Sequence, residues 1–241
     1  MGRGPSIEGR KNAEDSRRGK LFTKLIREIT VATRQGGSDP RTNSRLRLCM
    51  DKALAANMSK DTLERAIKRG SGEAGADQLE EIRYEGYAPG GVAILVDCLT
   101  DNSTRTVADV RHAFSKNGGH LGASGSVAYL FQRLGHIVFD ISGNPVLEEK
   151  IMEAALEAGA DDIVTDRGRT EVLSTPENFE ALKNALASAG LEPEQADISM
   201  RPATRVGVTG ETAEAVAALI EWLEDMDDVQ NVYSNADLGA A

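Results

Sequence analysis

Between residues 136 and 203 short apolar runs and two helical segments follow one another in the order β-α-β-β-α-β, and few folds satisfy that order. The strand HIVFDI leads into a helix opened by Asn144-Pro145 and closed at Gly159. The strands DDIVTD and RTEVLS come next, then a helix opened by Thr175-Pro176 and closed at Gly190, and finally the strand ADISMRP. A polar cap followed by proline marks both helix starts, because the first turn has no use for the N–H that proline lacks. These six elements make a split βαβ sandwich, the ferredoxin-like arrangement.

The flanks of this unit carry elements that it cannot use. Residues 92–99 (VAILVDCL) read as a buried strand, 104–119 as a helix with a glycine stop, and 126–133 (SVAYLFQR) as another strand. A helix over 212–226 and a strand over 229–234 find no partner inside 136–203. They would complete the sheet begun at residues 83–133, which predicts a discontinuous α/β domain (79–134 plus 204–241) holding an inserted ferredoxin-like domain (135–203). Ahead of both, residues 12–34 have helical periodicity, GGSDP (36–40) breaks it, and 43–58 and 59–70 supply two more helices, capped by Asn43 or Ser44 and by Ser59. SGEAGADQ (71–78) reads as a linker. The expected class is α+β: a three-helix domain (1–78) followed by two ferredoxin-like α/β domains, one inserted in the other.

Charge is divided along the same line. Residues 1–70 hold 17 Lys+Arg against 8 Asp+Glu, whereas the remaining residues hold 11 against 30, in a chain of net charge −10. A basic head on an acidic body follows. On a helical wheel Leu21, Phe22, Leu25, Ile26 and Ile29 share one stripe, with Arg17, Lys20, Lys24 and Arg27 opposite and Arg34 continuing the line. Solubility did not require that concentration in an acidic protein, and polyphosphate is its natural partner. The candidate nucleic-acid-binding residues are Arg10, Lys11, Arg17, Arg18, Lys20, Lys24, Arg27, Arg34, Arg41, Arg45, Arg47, Lys60, Lys68 and Arg69. Phe22 is the one aromatic residue in 1–70 and lies on the apolar stripe, so base stacking there is not expected. Duplex DNA or structured RNA held by its phosphates fits better. The turn ANMS between the second and third helices also suits a helix-turn-helix. In the acidic segment, Glu221, Glu224, Asp225, Asp227 and Asp228 would compete with phosphates for the head.

Other chemistries find little support. No GxSxG, Walker A, HExxH or Rossmann fingerprint occurs, so no catalytic residue or cofactor is expected. The two cysteines, Cys49 and Cys98, lie in apolar patterns and read as buried thiols of a reducing, cytoplasmic protein. His112, His120 and His136 lack metal-ligand spacing. YAPGG (87–91) and NGGHLGASGS (117–126) could cradle an anion on backbone amides, but tight turns explain them as well. No apolar run approaches membrane-spanning length, and MGRGPSIEGRKN has no signal-peptide h-region. IEGR (7–10) coincides with a protease site used in cloning vectors, yet it continues into the basic segment without a break and is read as native.

The blocks RRGKLFTKLIREI, DPRTNSRLR, DKALAANMSKDTLERAIKRG, YEGYAPGGVAI and VRHAFSKNGGHLGASGSVAYLF make the chain resemble the YebC family over nearly its whole length. Bacterial members are described as probable transcriptional regulators, and a mitochondrial relative as a translational activator for a cytochrome oxidase subunit. The resemblance implies three domains, a helical one and two α/β ones. It also implies a regulator of gene expression, first a DNA-binding transcriptional regulator and alternatively a ribosome-associated translation factor on structured RNA. Neither a membrane nor a cofactor is expected; the oligomeric state is left open, a monomer being compatible with the sequence. Many members open with His-Ser-Lys-Trp where this chain has GRGPSIEGRKN, so no contact of that His or Trp transfers here.

Overall fold

The structure is a computed structural model that describes residues 7–72 and 78–239, with side chains from residue 13 onward. The chain divides into two compact units, residues 1–128 with 205–241, and residues 129–204.

The first unit begins with three helices: α1 (Ile7–Gly36), α2 (Ser44–Ala55) and α3 (Lys60–Gly70). Asn43 and Ser59 cap α2 and α3 as their residue types predict, accepting from the N–H groups of Leu46 and Thr62. Leu25, Ile29 and Ala32 of α1 meet Leu46, Cys49 and Ala53 of α2 and Leu63 and Ala66 of α3 in one core. α3 lies so close to α1 that a Cβ at Gly70 would sit 2.5 Å from the Thr30 carbonyl oxygen. Leu21, placed on the apolar stripe by the wheel, is instead exposed, because the core takes Leu25 and Ile29 from α1 and leaves the preceding turn outside.

The α/β part of this unit starts with β1 (Glu80–Ala88) and β2 (Val92–Thr100), followed by α4 (Ser103–Lys116) and β3 (His120–Leu121). After the second unit the chain returns with β8 (Val206–Gly207), α7 (Gly210–Asp225), β9 (Val229–Ser234) and β10 (Ala236–Asp237). The antiparallel sheet has the order β3-β1-β2-β9, so β9, from the returning segment, pairs with β2. β8 and β10 form a small parallel pair. β2 is buried at every position but Asp97, which is why it reads as an unbroken apolar run. Val110, Ala113 and Phe114 of α4 and Val216, Leu219 and Leu223 of α7 pack on Val92, Ile94, Val96 and Cys98 of that strand.

The second unit contains β4 (Phe131–Asp140), α5 (Pro145–Glu157), β5 (Asp162–Asp166), β6 (Arg169–Ser174), α6 (Phe179–Ser188) and β7 (Gln195–Pro202). Its antiparallel sheet runs β5-β6-β4-β7, the order of a split βαβ sandwich. Gly135 admits α6, since a Cβ there would sit 2.9 Å from the Phe179 side chain.

Three local expectations need correction. Residues 126–130 are not strand: Ala128–Leu130 form a 3-10 turn, and the two strands expected at 126–133 and 136–141 are the single strand β4. Apolar content alone does not distinguish such a turn from a strand start. Pro176 does not open α6, which begins three residues later with Asn178 at its cap, because Thr175–Asn178 first close a turn. β1 runs from Glu80, ahead of the residue 83 at which the sheet is expected to begin, and its alternation is interrupted by Gly86, which packs against Phe114.

Candidate nucleic-acid interface

The fold sorts the candidate cations into two groups. The first is consumed inside the molecule. Along α1, Lys20 forms an ion pair with the Asp225 carboxylate, and Lys24 Nζ donates to the Glu224 carbonyl oxygen. α7 has no basic residue in its last turn, so these lysines from α1 satisfy its terminal carbonyls and the negative end of its dipole. Burial lowers the Lys24 pKa, and the attraction of Glu224, Asp227 and Asp225 only partly offsets it.

Arg27 reaches deepest. Its Nη1 donates to the carbonyls of Leu99 (3.0 Å) and Asp227 (3.2 Å) and to Asp228 Oδ1 at 2.8 Å. Asp228, 8% exposed, also accepts from Arg105 Nη2 at 3.0 Å and from Thr106 Oγ1 at 2.8 Å. Burial pushes its carboxyl pKa up, but the bonds from Arg27, Arg105 and Thr106 outweigh burial and leave it lowered.

Arg34 donates to the Leu79 carbonyl at 2.6 Å. Arg45 bridges Glu28 of α1 (2.8 Å) and Glu81 of β1 (2.9 Å). Its pKa is raised: burial opposes the shift, and the carboxylates of Glu81 and Glu28 override burial. Arg47 donates to the Pro40 carbonyl.

The second group stays at the surface: Arg17, Arg18, Arg41, Lys60, Lys68 and Arg69 are all exposed. Arg18 lies over the Phe22 ring at 5.2 Å, and Arg41 pairs with Asp39 at 2.9 Å. The side chains of Arg10 and Lys11 fall outside the described residues. Arg65, which the sequence reading passed over, is exposed on α3 one turn before Lys68 and Arg69; helical spacing from Lys68 would have found it. Four cations therefore stand on an 11-residue helix. The turn entering α3 is tight: Asn57 has φ 62°, Met58 is buried and Ser59 caps the helix. Apart from Arg41 in the loop before α2, the exposed cations thus stand on α1 and α3, two helices packed in one core.

The glycine-rich segments are occupied by the chain itself. Gly90 and Gly91, at φ 77° and 76°, form the tight turn between β1 and β2. At the end of the second segment and just beyond it, the buried Glu85 carboxylate accepts from the N–H groups of Gly125 (2.5 Å), Val127 (3.0 Å) and Ala128 (2.6 Å). A built-in carboxylate thus already holds the Gly125 amide of the segment that could have cradled an anion. Cys49 and Cys98 are free and buried; burial, with Asp228 and Asp97 nearby, pushes the Cys98 thiol up to about 12. Among the described residues no group of His, Cys, Asp and Glu has the arrangement of a metal site, and no helix is long and apolar enough to cross a membrane.

Comparison with known proteins agrees along the chain. The family described as TACO1/YebC protein N-terminal domain matches residues 4–73, and TACO1/YebC second and third domain matches residues 79–236. A probable transcriptional regulatory protein of Stenotrophomonas maltophilia (strain K279a) is 60% identical over 242 residues, covering 100% of this chain and 98% of that protein. One from Xanthomonas campestris pv. campestris (strain B100) is 58% identical over 239 residues, covering 98% of each. The crystal structure of a conserved hypothetical protein from Aquifex aeolicus superposes with a TM-score of 0.83 at 46% identity, covering 92% of this chain and 91% of that one.

Proposed function

The chain belongs to the TACO1/YebC family, and from that premise we propose that it is a nucleic-acid-binding regulator of gene expression, in the first place a regulator of transcription. The observation that carries this reading is the second group of cations. Lys60, Arg65, Lys68 and Arg69 on α3, with Arg17 and Arg18 on α1, concentrate exposed positive charge on the helical region of an otherwise acidic molecule. Arginine adds bidentate contacts to phosphate oxygens. The relatives' description as probable transcriptional regulatory proteins supports DNA as the target, as does the tight turn that sets α3 after α2. The helical region, residues 1–78, acts in this reading as the binding domain of a three-domain cytoplasmic monomer.

A second reading rests on one observation. α3 exposes no Asn or Gln, side chains suited to reading adenine edges, and its surface is a mixture of cations with Asp61 and Glu64. Such a face grips phosphates more readily than it reads a duplex, which suits structured RNA on a ribosome. A salt titration of the full-length protein on duplex DNA and on purified ribosomes, with a Lys60→Gln/Lys68→Gln/Arg69→Gln variant in parallel, separates the two. Steep salt dependence with discrimination among DNA sequences supports the transcriptional role. Ribosome binding that persists at salt abolishing DNA binding supports translation. Equal binding by variant and wild type on both targets overturns the interface.

A further inference from the structure

The helix pair α4 and α7 carries a surface that the nucleic-acid reading does not use. Trp222, the one tryptophan in the chain, is 42% exposed on α7. It meets the exposed His112 of α4 edge to face, with ring centroids 5.8 Å apart and planes at 72°. About one helical turn away, Met226 (four after Trp222) and Asp109 (three before His112) line an open cleft of about 400 Å³. Asp101, Asp227 and Asp228 are also in its wall, against Arg27 and Arg105. Both arginines are already bound to Asp228, and Arg105 to Asp101 as well, so neither is left to attract an anion. On α7 the neighbours of Trp222 are Glu221, Glu224 and Asp225; on α4 the cations near His112 are Arg111 and Lys116.

We propose that the seam between α4 and α7 docks an arginine-bearing segment of a partner protein, with a guanidinium over Trp222 and a second cation in the adjoining cleft. An exposed indole is the strongest aromatic partner for a cation, and arginine adds planar stacking to the charge. Half-exposed tryptophan beside a cleft is also the composition of an interface anchor. The charge around it chooses between classes of partner. On a basic surface the same pair of rings would be a platform for a nucleic-acid base. Here, with Asp225 already paired to Lys20, the exposed carboxylates of Asp109, Glu221 and Asp227 still outnumber Arg111 and Lys116, so a cationic peptide is favoured over phosphate. The basic head and this seam would therefore hold different partners.

Because Trp222 is alone, its emission reports on the site directly. The full-length protein is titrated with nona-arginine, nona-lysine and single-stranded oligouridylate. Nona-arginine is expected to change Trp222 emission saturably, with nona-lysine weaker by about fivefold or more for want of stacking. An Asp109→Asn/Glu221→Gln variant should weaken nona-arginine by about tenfold, while a Glu149→Gln/Glu153→Gln variant on α5, equal in charge removed, should change it less than about twofold. Calorimetric titration of Trp222→Ala, checked for folding by circular dichroism, should show a similar loss without relying on the reporter. Equal weakening by both charge variants would reduce the effect to net charge and overturn the proposal. A response to oligouridylate in place of the peptide would overturn it in favour of a base-stacking site.

Discussion

Asp228 shows how much one side chain settles in this protein. Two arginines and a threonine from α1 and α4 converge on it, with the carboxylate almost wholly buried. Asp228→Ala leaves those donors facing an empty site and should lower unfolding stability by about 3 kcal/mol in urea denaturation, as breaking a buried pair does. Lys20→Ala removes an ion pair whose partners are largely exposed and should cost less than about 1 kcal/mol in the same experiment. The pH dependence has a definite sign. The folded pKa of Asp228 lies below its ordinary 3.8, so its stabilisation is complete above that value and is lost as pH falls through the lower, folded one. Acid titration of Asp228→Asn, followed by far-UV circular dichroism, should show a shallower loss of stability below about pH 4 than wild type. Nothing in the sequence ranks Asp228 above its neighbours Asp225 and Asp227. That it is the buried one depends on where α1 lands, which is set by contacts some 200 residues apart.

At the scale of the element, local signals were reliable where caps and stops lie next to the residues they act on. Asn43, Ser59 and Asn144 cap the helices predicted to follow them, each accepting from a backbone N–H three residues on. Boundaries failed where another element intervened: α6 starts late because a turn precedes it, and β4 absorbs two expected strands. Gly70 is a case where two local effects compete. Alanine should favour the α3 helix over glycine by about 1 kcal/mol. Its Cβ, however, would fall 2.5 Å from the Thr30 carbonyl and 2.7 Å from Thr33 Cβ, so α3 must back away from α1. Overpacking of this kind costs about 1–3 kcal/mol. Gly70→Ala should therefore be net destabilising by about 1–2 kcal/mol, measured as a fall in the urea midpoint. A rise in that midpoint would show that α1 and α3 separate easily.

For the whole molecule, the segregation of charge has two consequences rather than one. Part of the basic head is a tether: Lys20, Lys24 and Arg27 bind the end of α7 and the turn after it, while Arg34 and Arg45 reach the start of β1 and its approach. The remainder, on α1 and α3, is open to solvent. These roles predict different salt behaviour. Arg17→Gln/Arg18→Gln should flatten the dependence of log K on log salt by about one to two units in DNA or RNA binding. Lys20→Gln/Lys24→Gln should leave that slope within about half a unit of wild type and act on stability instead. The reverse result would mean that phosphates displace Asp225 and Glu224 from α1 on binding.

The class of the molecule was legible before any coordinates, because periodicity, caps and glycine stops are set by residues close together in the chain. Equally legible was that one end is basic and the other acidic, since that is a property of composition along the chain. Which of those charges are available depends on packing. Lys20, Lys24 and Arg27 lie on the same face of α1 that the sequence assigns to solvent, and packing places that face against α7. The opposite outcome holds for Arg17, one turn earlier, which α7 does not reach. Tertiary structure also brought Trp222 beside His112, a pairing 110 residues apart in the chain that no periodicity encodes. The physical reason is the same throughout: local propensity is written in neighbouring residues, whereas a charge's partner is fixed by chain reversals whose geometry no single segment contains.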